Sequence, residues 1–161
     1  MNSRHPSIRG FSLIELVLVM MIMGIITVIS IPKVFGLISS VREKAVSERL
    51  IEDISYIHNY AISNHDTTWL VVDAAQNQWG LYSGPTVGTR VLLSDALTGA
   101  SAVLDLDDDY EGIGISSVSF GGSSELSFNY WGSPSSGGTV VINGNRTITV
   151  VAETGMVHET P

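Results

Sequence analysis

The chain has 161 residues, a formal net charge of -8 and no cysteine. That length suits one anchor and one small domain, and the missing cysteine excludes a disulfide framework, a thiol nucleophile and a cysteine metal site. Six of the eight basic residues lie at or before Arg49, and beyond it only Arg90 and Arg146 face thirteen Asp and Glu, so the C-terminal part repels phosphate backbones and nucleic-acid binding is not expected.

Residues 1–10, MNSRHPSIRG, carry Arg4 and Arg9 and lead into an apolar run, Phe11 to Ile31. A helix of that length spans roughly 31 Å, close to a bilayer core. The two arginines predict a cytoplasmic N-terminus and an outward C-terminal part, weakly opposed by Lys33. A cleaved secretory signal is disfavoured: its apolar core is about 7–15 residues long, and ISIPKVFG offers no small-residue cleavage pattern. A plain signal anchor accounts for length and flanking charge but leaves Glu15 unexplained, because a carboxylate inside a span is costly even near the interface.

The string Gly10-Phe11-Ser12-Leu13-Ile14-Glu15, heading an apolar helix with Gly24 and Pro32, resembles the type IV prepilin signature. Type IV pilins and type II secretion pseudopilins share this signal, and the resemblance covers about the first 35 residues. It implies cleavage between Gly10 and Phe11 by a prepilin peptidase, methylation of the new amine on Phe11, and packing of the helices into a filament core. Cleavage would leave a positive amine one helical turn from Glu15, close to the positive end of the helix dipole. Glu15 then reads as an assembly device that pairs with the Phe11 amine of a neighbouring subunit. Pro32 removes one helix hydrogen bond and predicts a continuous or gently kinked helix.

Residues 32–64 continue as an amphipathic helix. Leu37, Val41, Val46, Leu50, Ile54, Ile57 and Ala61 recur mostly at steps of three and four and predict a stripe packed on a sheet. The charged face from Arg42 to Glu52 is either solvated or an inter-subunit contact. His58 and His65, seven apart, are not expected to ligate a metal.

From residue 65 to 161 the pattern becomes that of strands. TTWLVVD (67–73) and QWGLYS (78–83) predict a hairpin, and 90–93 and 102–106 are weaker candidates. GISSVSF (114–120), ELSFNYW (125–131), GTVVIN (138–143) and RTITVVA (146–152) follow. Asn143-Gly144 accepts the positive φ of a tight hairpin turn, and Thr154-Gly155 predicts a turn into a short last strand at 156–158. The expected fold class is therefore α+β: a long N-terminal helix, its first half transmembrane, packed on an antiparallel β head. The run from Phe128 to Val157, with Phe128, Gly132, Pro134 and Gly155, resembles GspH/FimT-type minor pseudopilins and equally MshC-like minor pilins. The disulfide loop of many major pilins is impossible without cysteine.

DLDDDYEG (105–112) is the conspicuous acidic cluster. Asp105, Asp107 and Asp109 are oxygen donors that could hold calcium, but the pattern fails as an EF-hand loop, with Tyr110 where Gly belongs and Ser116 where Glu belongs. An exposed acidic turn without any cofactor is the plainer expectation. No nucleophile elbow, phosphate loop or zinc motif is present, so no enzymatic activity is expected. Ser133, Ser135 and Ser136 read as turn residues, and Trp69, Trp79 and Trp131 as core or edge residues.

The sequence thus predicts a leader at 1–10, a membrane half-helix at 11–31, an amphipathic half-helix at 32–64 and a β-rich head at 65–161. The resemblance implies a minor pilin or pseudopilin in the bacterial inner membrane, N-terminus cytoplasmic and head periplasmic, in a filament in the periplasm or at the cell surface. Its partners would be prepilin peptidase, other pilin or pseudopilin subunits and membrane lipid. A type II secretion pseudopilus is the leading assignment and a type IV pilus of the mannose-sensitive haemagglutinin type the second. A DNA-uptake pilin would want a basic head, and an unprocessed membrane-anchored binding domain is the rival from another class.

Overall fold

Helix α1 runs from Leu13 to Asn64. The structure, a computed structural model, describes residues 11–94 and 101–160, with the side chains of residues 29–35 outside the description. The expected leader, with Arg4, Arg9 and Gly10, therefore lies outside the described residues, as does the side chain of Lys33. Two compact units divide the chain after Ile38.

In the N-terminal unit the helix is unbroken through Pro32. Its apolar side chains cover no core: Leu13 is 82 % exposed, and every large hydrophobic from Phe11 to Val28 is exposed. Thr27 returns its hydroxyl to the Met23 carbonyl at 2.7 Å, which satisfies a polar group without leaving the helix. Among the described residues, no helix is long and apolar enough to cross a membrane. Within the expected span the described apolar side chains end at Val28, after about 24 Å of helix, and the span runs on through residues 29–31.

In the C-terminal unit Val46, Leu50, Ile54, Ile57 and Ala61 are fully buried, on the predicted helical stripe. Of the first two residues expected in that stripe, Leu37 falls in the N-terminal unit and Val41 is not in the stripe. Val41 is 68 % exposed and Leu37 is 66 % exposed. Val41 precedes Val46 by five positions, about 140° around the helix axis, so it faces away from the core. Glu43 and Ser47 are buried on the core side instead.

The helix ends at a Schellman turn. His65 takes a left-handed φ of 56°, and the Asp66 amide donates to the Ala61 carbonyl at 3.3 Å, capping an otherwise orphaned acceptor. The chain enters β1 (Thr68–Asp73), which pairs antiparallel with β2 (Gln78–Ser83), as the hairpin expectation requires. Then come β3 (Val91–Leu92), β4 (Val103–Asp105), the one-turn helix α2 (Leu106–Asp109), β5 (Ile115–Phe120), β6 (Glu125–Phe128), β7 (Gly138–Ile142), β8 (Arg146–Val150) and β9 (Val157–Thr160).

These strands make two antiparallel sheets rather than one. The first has the order β3-β2-β1-β6, with β4 also paired to β2, and the second β5-β7-β8-β9. Period-two burial builds the core: Thr68, Leu70 and Val72 from β1, Leu126 and Phe128 from β6, Val140 and Ile142 from β7, Ile148 and Val150 from β8. Gly138 is demanded by packing, because a Cβ there would stand 2.6 Å from the Phe120 Cα. The β7–β8 turn uses the predicted Asn-Gly pair, with φ of 50° at Asn143 and 71° at Gly144, matching the twist of a two-residue hairpin.

The strand expected over 125–131 stops at Phe128. Asn129 ends it, its side-chain oxygen accepting from the amides of Trp131 and Ser133, both at 3.0 Å, and Gly132 turns the chain with φ of 82°. Trp131 is consequently 71 % exposed, whereas Trp79 is 1 % exposed in the core.

Candidate assembly site

Phe11 and Ser12 precede α1, and the Ser12 carbonyl accepts from the amides of Glu15 at 3.1 Å and Leu16 at 3.2 Å. Ser12 therefore stands at the N-cap position and Glu15 at the third helical position. Ser and Glu at this spacing form a capping-box sequence, a local signal that accounts for a Glu at this position independently of any pairing. Phe11 is 78 % exposed, and Glu15 is exposed in the first turn. Around it Ile14, Leu16, Val17, Leu18 and Val19 are all exposed. A carboxylate at the positive end of a helix dipole, set in apolar surface on all sides, is the distinctive chemistry of this end. It has no partner of opposite sign among the described residues of its own unit. Gly10, on the near side of the expected cleavage, lies outside the described residues.

The acidic run 105–112 is organised around hydrogen bonds. Asp105 caps α2, its Oδ1 accepting from the Asp107 amide at 2.9 Å. Asp107 accepts from Asn77 Nδ2 at 2.7 Å. Asp109 closes the helical turn. Among the described residues, no group of three or more His, Asp or Glu converges so as to hold a metal ion.

Polar groups elsewhere in the head are structural, and the sequence offered little signal for them. Asp53 is 7 % exposed, accepts from Trp79 Nε1 at 2.8 Å and lies 3.3 Å from Arg49 Nε. Burial pushes its carboxyl above the ordinary aspartate value, against the lowering effects of Trp79 and Arg49. Thr68 is fully buried and donates to the Ile57 carbonyl at 2.9 Å, tying β1 to the helix. On the first sheet Arg90 forks onto Glu125 at 2.8 and 3.0 Å. Its guanidinium also lies 5.5 Å from the Trp69 ring and 5.1 Å from that of Tyr82. The Arg90 hydrogen bonds hold the Glu125 carboxyl below its ordinary value, against the opposing effect of burial. Arg146 pairs with Glu159 across β8 and β9, so both arginines beyond Arg49 are engaged within the head.

Residues 6–31 match the family model described as the prokaryotic N-terminal methylation motif. No curated protein matches the chain. Two structures of the minor pseudopilin EpsH of the type II secretion system of Vibrio cholerae are similar in fold. Each has a TM-score of 0.58 and 12 % sequence identity, one covering 73 % of this chain and 94 % of EpsH, the other 74 % and 95 %. The chain thus joins a prepilin-type N-terminus to the α+β fold of a minor pseudopilin.

Proposed function

We infer that this chain, a protein of the type IV pilin and pseudopilin kind, is a minor subunit that is stored in the bacterial inner membrane and assembles into a filament through its N-terminal helix. The observation that carries the reading is the run from Phe11 to Val28, in which every large hydrophobic side chain is exposed among the described residues. Such a surface far exceeds what a soluble monomer leaves in water. Lipid covers it in the stored subunit, and neighbouring helices cover it in the filament. The methylation motif supports cleavage between Gly10 and Phe11 by a prepilin peptidase and methylation of the Phe11 amine.

Cleavage supplies a cation one helical turn from Glu15. The pairing of the Phe11 amine of one subunit with Glu15 of the next is favourable in an apolar surround, and a misaligned register leaves both charges unpaired at high cost. Glu15 therefore sets register as well as affinity. The head adds binding surface and no chemistry. Its likeness to EpsH favours a pseudopilus of type II secretion over a type IV pilus.

The test is Glu15→Ala in the full chain. It leaves the subunit in the membrane fraction and removes it from sheared or cross-linked filaments by tenfold or more; normal incorporation would sink the assembly reading. Deleting the gene then separates the two filaments. Loss of exoprotein release with piliation intact supports the secretion pseudopilus, and the converse supports the pilus.

A further inference from the structure

The loop between α2 and β5 is gripped from three sides within the C-terminal unit. Asn77, at the end of the β1–β2 turn, donates through Nδ2 to the Ile113 carbonyl at 2.8 Å and accepts at Oδ1 from the Ile115 amide at 2.9 Å. Asn143, at the start of the β7–β8 turn, accepts at Oδ1 from the Gly114 amide at 2.8 Å, and its own amide donates to the Gly114 carbonyl at 2.9 Å. Its Nδ2 donates to Glu43 Oε1 at 3.0 Å and to the Gly112 carbonyl at 3.4 Å. Arg42 Nη1 donates to the Glu111 carbonyl at 2.8 Å. Residues 111–115 thus meet one hairpin turn from each sheet and the first turns of α1 inside the head.

Both asparagines sit in the left-handed region, with φ of 53° at Asn77 and 50° at Asn143. Asparagine tolerates that conformation better than most residues. It also offers a donor and an acceptor on one short side chain, which an aspartate does not. Ile113 and Leu106 anchor the loop in the core, at 2 % and 0 % exposure. Glu43 is 8 % exposed, and Asn143 Nδ2 donates to its carboxylate.

We propose that residues 111–115 and the two asparagines form a clasp that fixes the first turns of α1 within the head, and that Asn143 is its positioning residue through Glu43. This rests on the assembly reading: a filament helix transmits position to its head only if its first turns there are held. The prediction is specific because the clasp depends on a donor facing a carboxylate. Asn143→Asp keeps size and the Gly114 contact but sets a second carboxylate against Glu43. Glu43→Gln in the same chain restores a donor–acceptor pair.

The test is amide hydrogen exchange on the full chain in detergent micelles, with filament incorporation scored in cells. Asn143→Asp is expected to speed exchange tenfold or more at Val46 to Leu50, and less than twofold at Leu70 and Val72 in β1. It also lowers incorporation, and Glu43→Gln restores both. An equal rise at all these amides, no rise, no restoration, or normal incorporation despite loosened exchange would each overturn the proposal. If Asn143→Asp does not fold, Arg42→Ala decides: a two- to threefold rise confined to Val46–Leu50 supports the clasp, and an unchanged pattern overturns it. Glu15→Ala, run alongside, separates the readings, since its normal incorporation defeats assembly through the N-terminal helix while the exchange results still judge the clasp.

Discussion

In the C-terminal unit Leu50, Ile54 and Ile57 have no exposed surface, whereas in the N-terminal unit Leu18, Ile22 and Ile25 are 55 %, 49 % and 58 % exposed. The residue types are the same and their use is opposite. Burial of an aliphatic side chain stabilises by roughly 1.5–3 kcal/mol. The head takes that gain within its own chain; the described aliphatic side chains of the N-terminal helix do not. Carboxylates differ in parallel. Asp53 and Glu125 are held by donors of their own head, whereas Glu15 meets no cation among the described residues of its own unit. The contrast teaches that the same residue types close a core in one unit and stay exposed in the other.

The sharpest way to break this comparison is to delete the same atoms in each unit. Leu50→Ala should cost about 2–5 kcal/mol, because it leaves a cavity in a closed core. Leu18→Ala should leave the head's thermal midpoint unchanged while weakening assembly. Equal effects of the two substitutions on the melting of the head would erase the distinction.

Smaller effects come from the two carboxylates of the head, and their signs oppose. Glu125 is held below its ordinary value of 4.5 by Arg90, so its contribution is present above that value and is lost as pH falls through its lowered folded value. Glu125→Gln should cost about 1 kcal/mol at pH 7 and flatten the acid-side loss of stability. Asp53 is raised above 3.8 by burial. Its charged form therefore destabilises the fold above its folded value, and that cost is relieved as pH falls toward 3.8. Asp53→Asn keeps an acceptor for Trp79 and should be neutral or stabilising at pH 7, by up to about 1 kcal/mol. Urea melts between pH 7 and pH 3 check both signs; a destabilising Asp53→Asn would contradict the account. The smallest effect belongs to Ser47, whose fully buried hydroxyl has no hydrogen-bond partner. Ser47→Ala should stabilise by about 0.5–1 kcal/mol.

Much of this architecture was legible because it rests on local rules. Asn143-Gly144 announced its turn through the need for positive φ, and alternation placed Leu126 and Phe128, Val140 and Ile142, and Ile148 and Val150 inward. The apolar run and Glu15 were visible at once, since nothing folds back to hide them. Failures came where distant residues decide. Val41 fits a step of three or four from Leu37, yet only the position of the sheets tells which side of the helix is inside. One failure was local instead: Asn129 cut short an apparent strand by hydrogen-bonding to Trp131 and Ser133. The division into two sheets and the grip of Asn77 and Asn143 on residues 111–115 depend on partners about 30 or more positions away, beyond any local pattern. In the acidic run, spacing reveals donor atoms but not the hydrogen bonds they make, here the capping of α2 and the bond to Asn77.

The central claim is that the N-terminal helix is completed by other molecules after its leader is removed. Intact-mass and N-terminal sequence measurement of the chain, recovered from membranes of a host with prepilin peptidase, tests it most directly. The account predicts a mature protein that lacks residues 1–10 and begins at N-methylated Phe11, and a chain that still begins at Met1 in those membranes would contradict it.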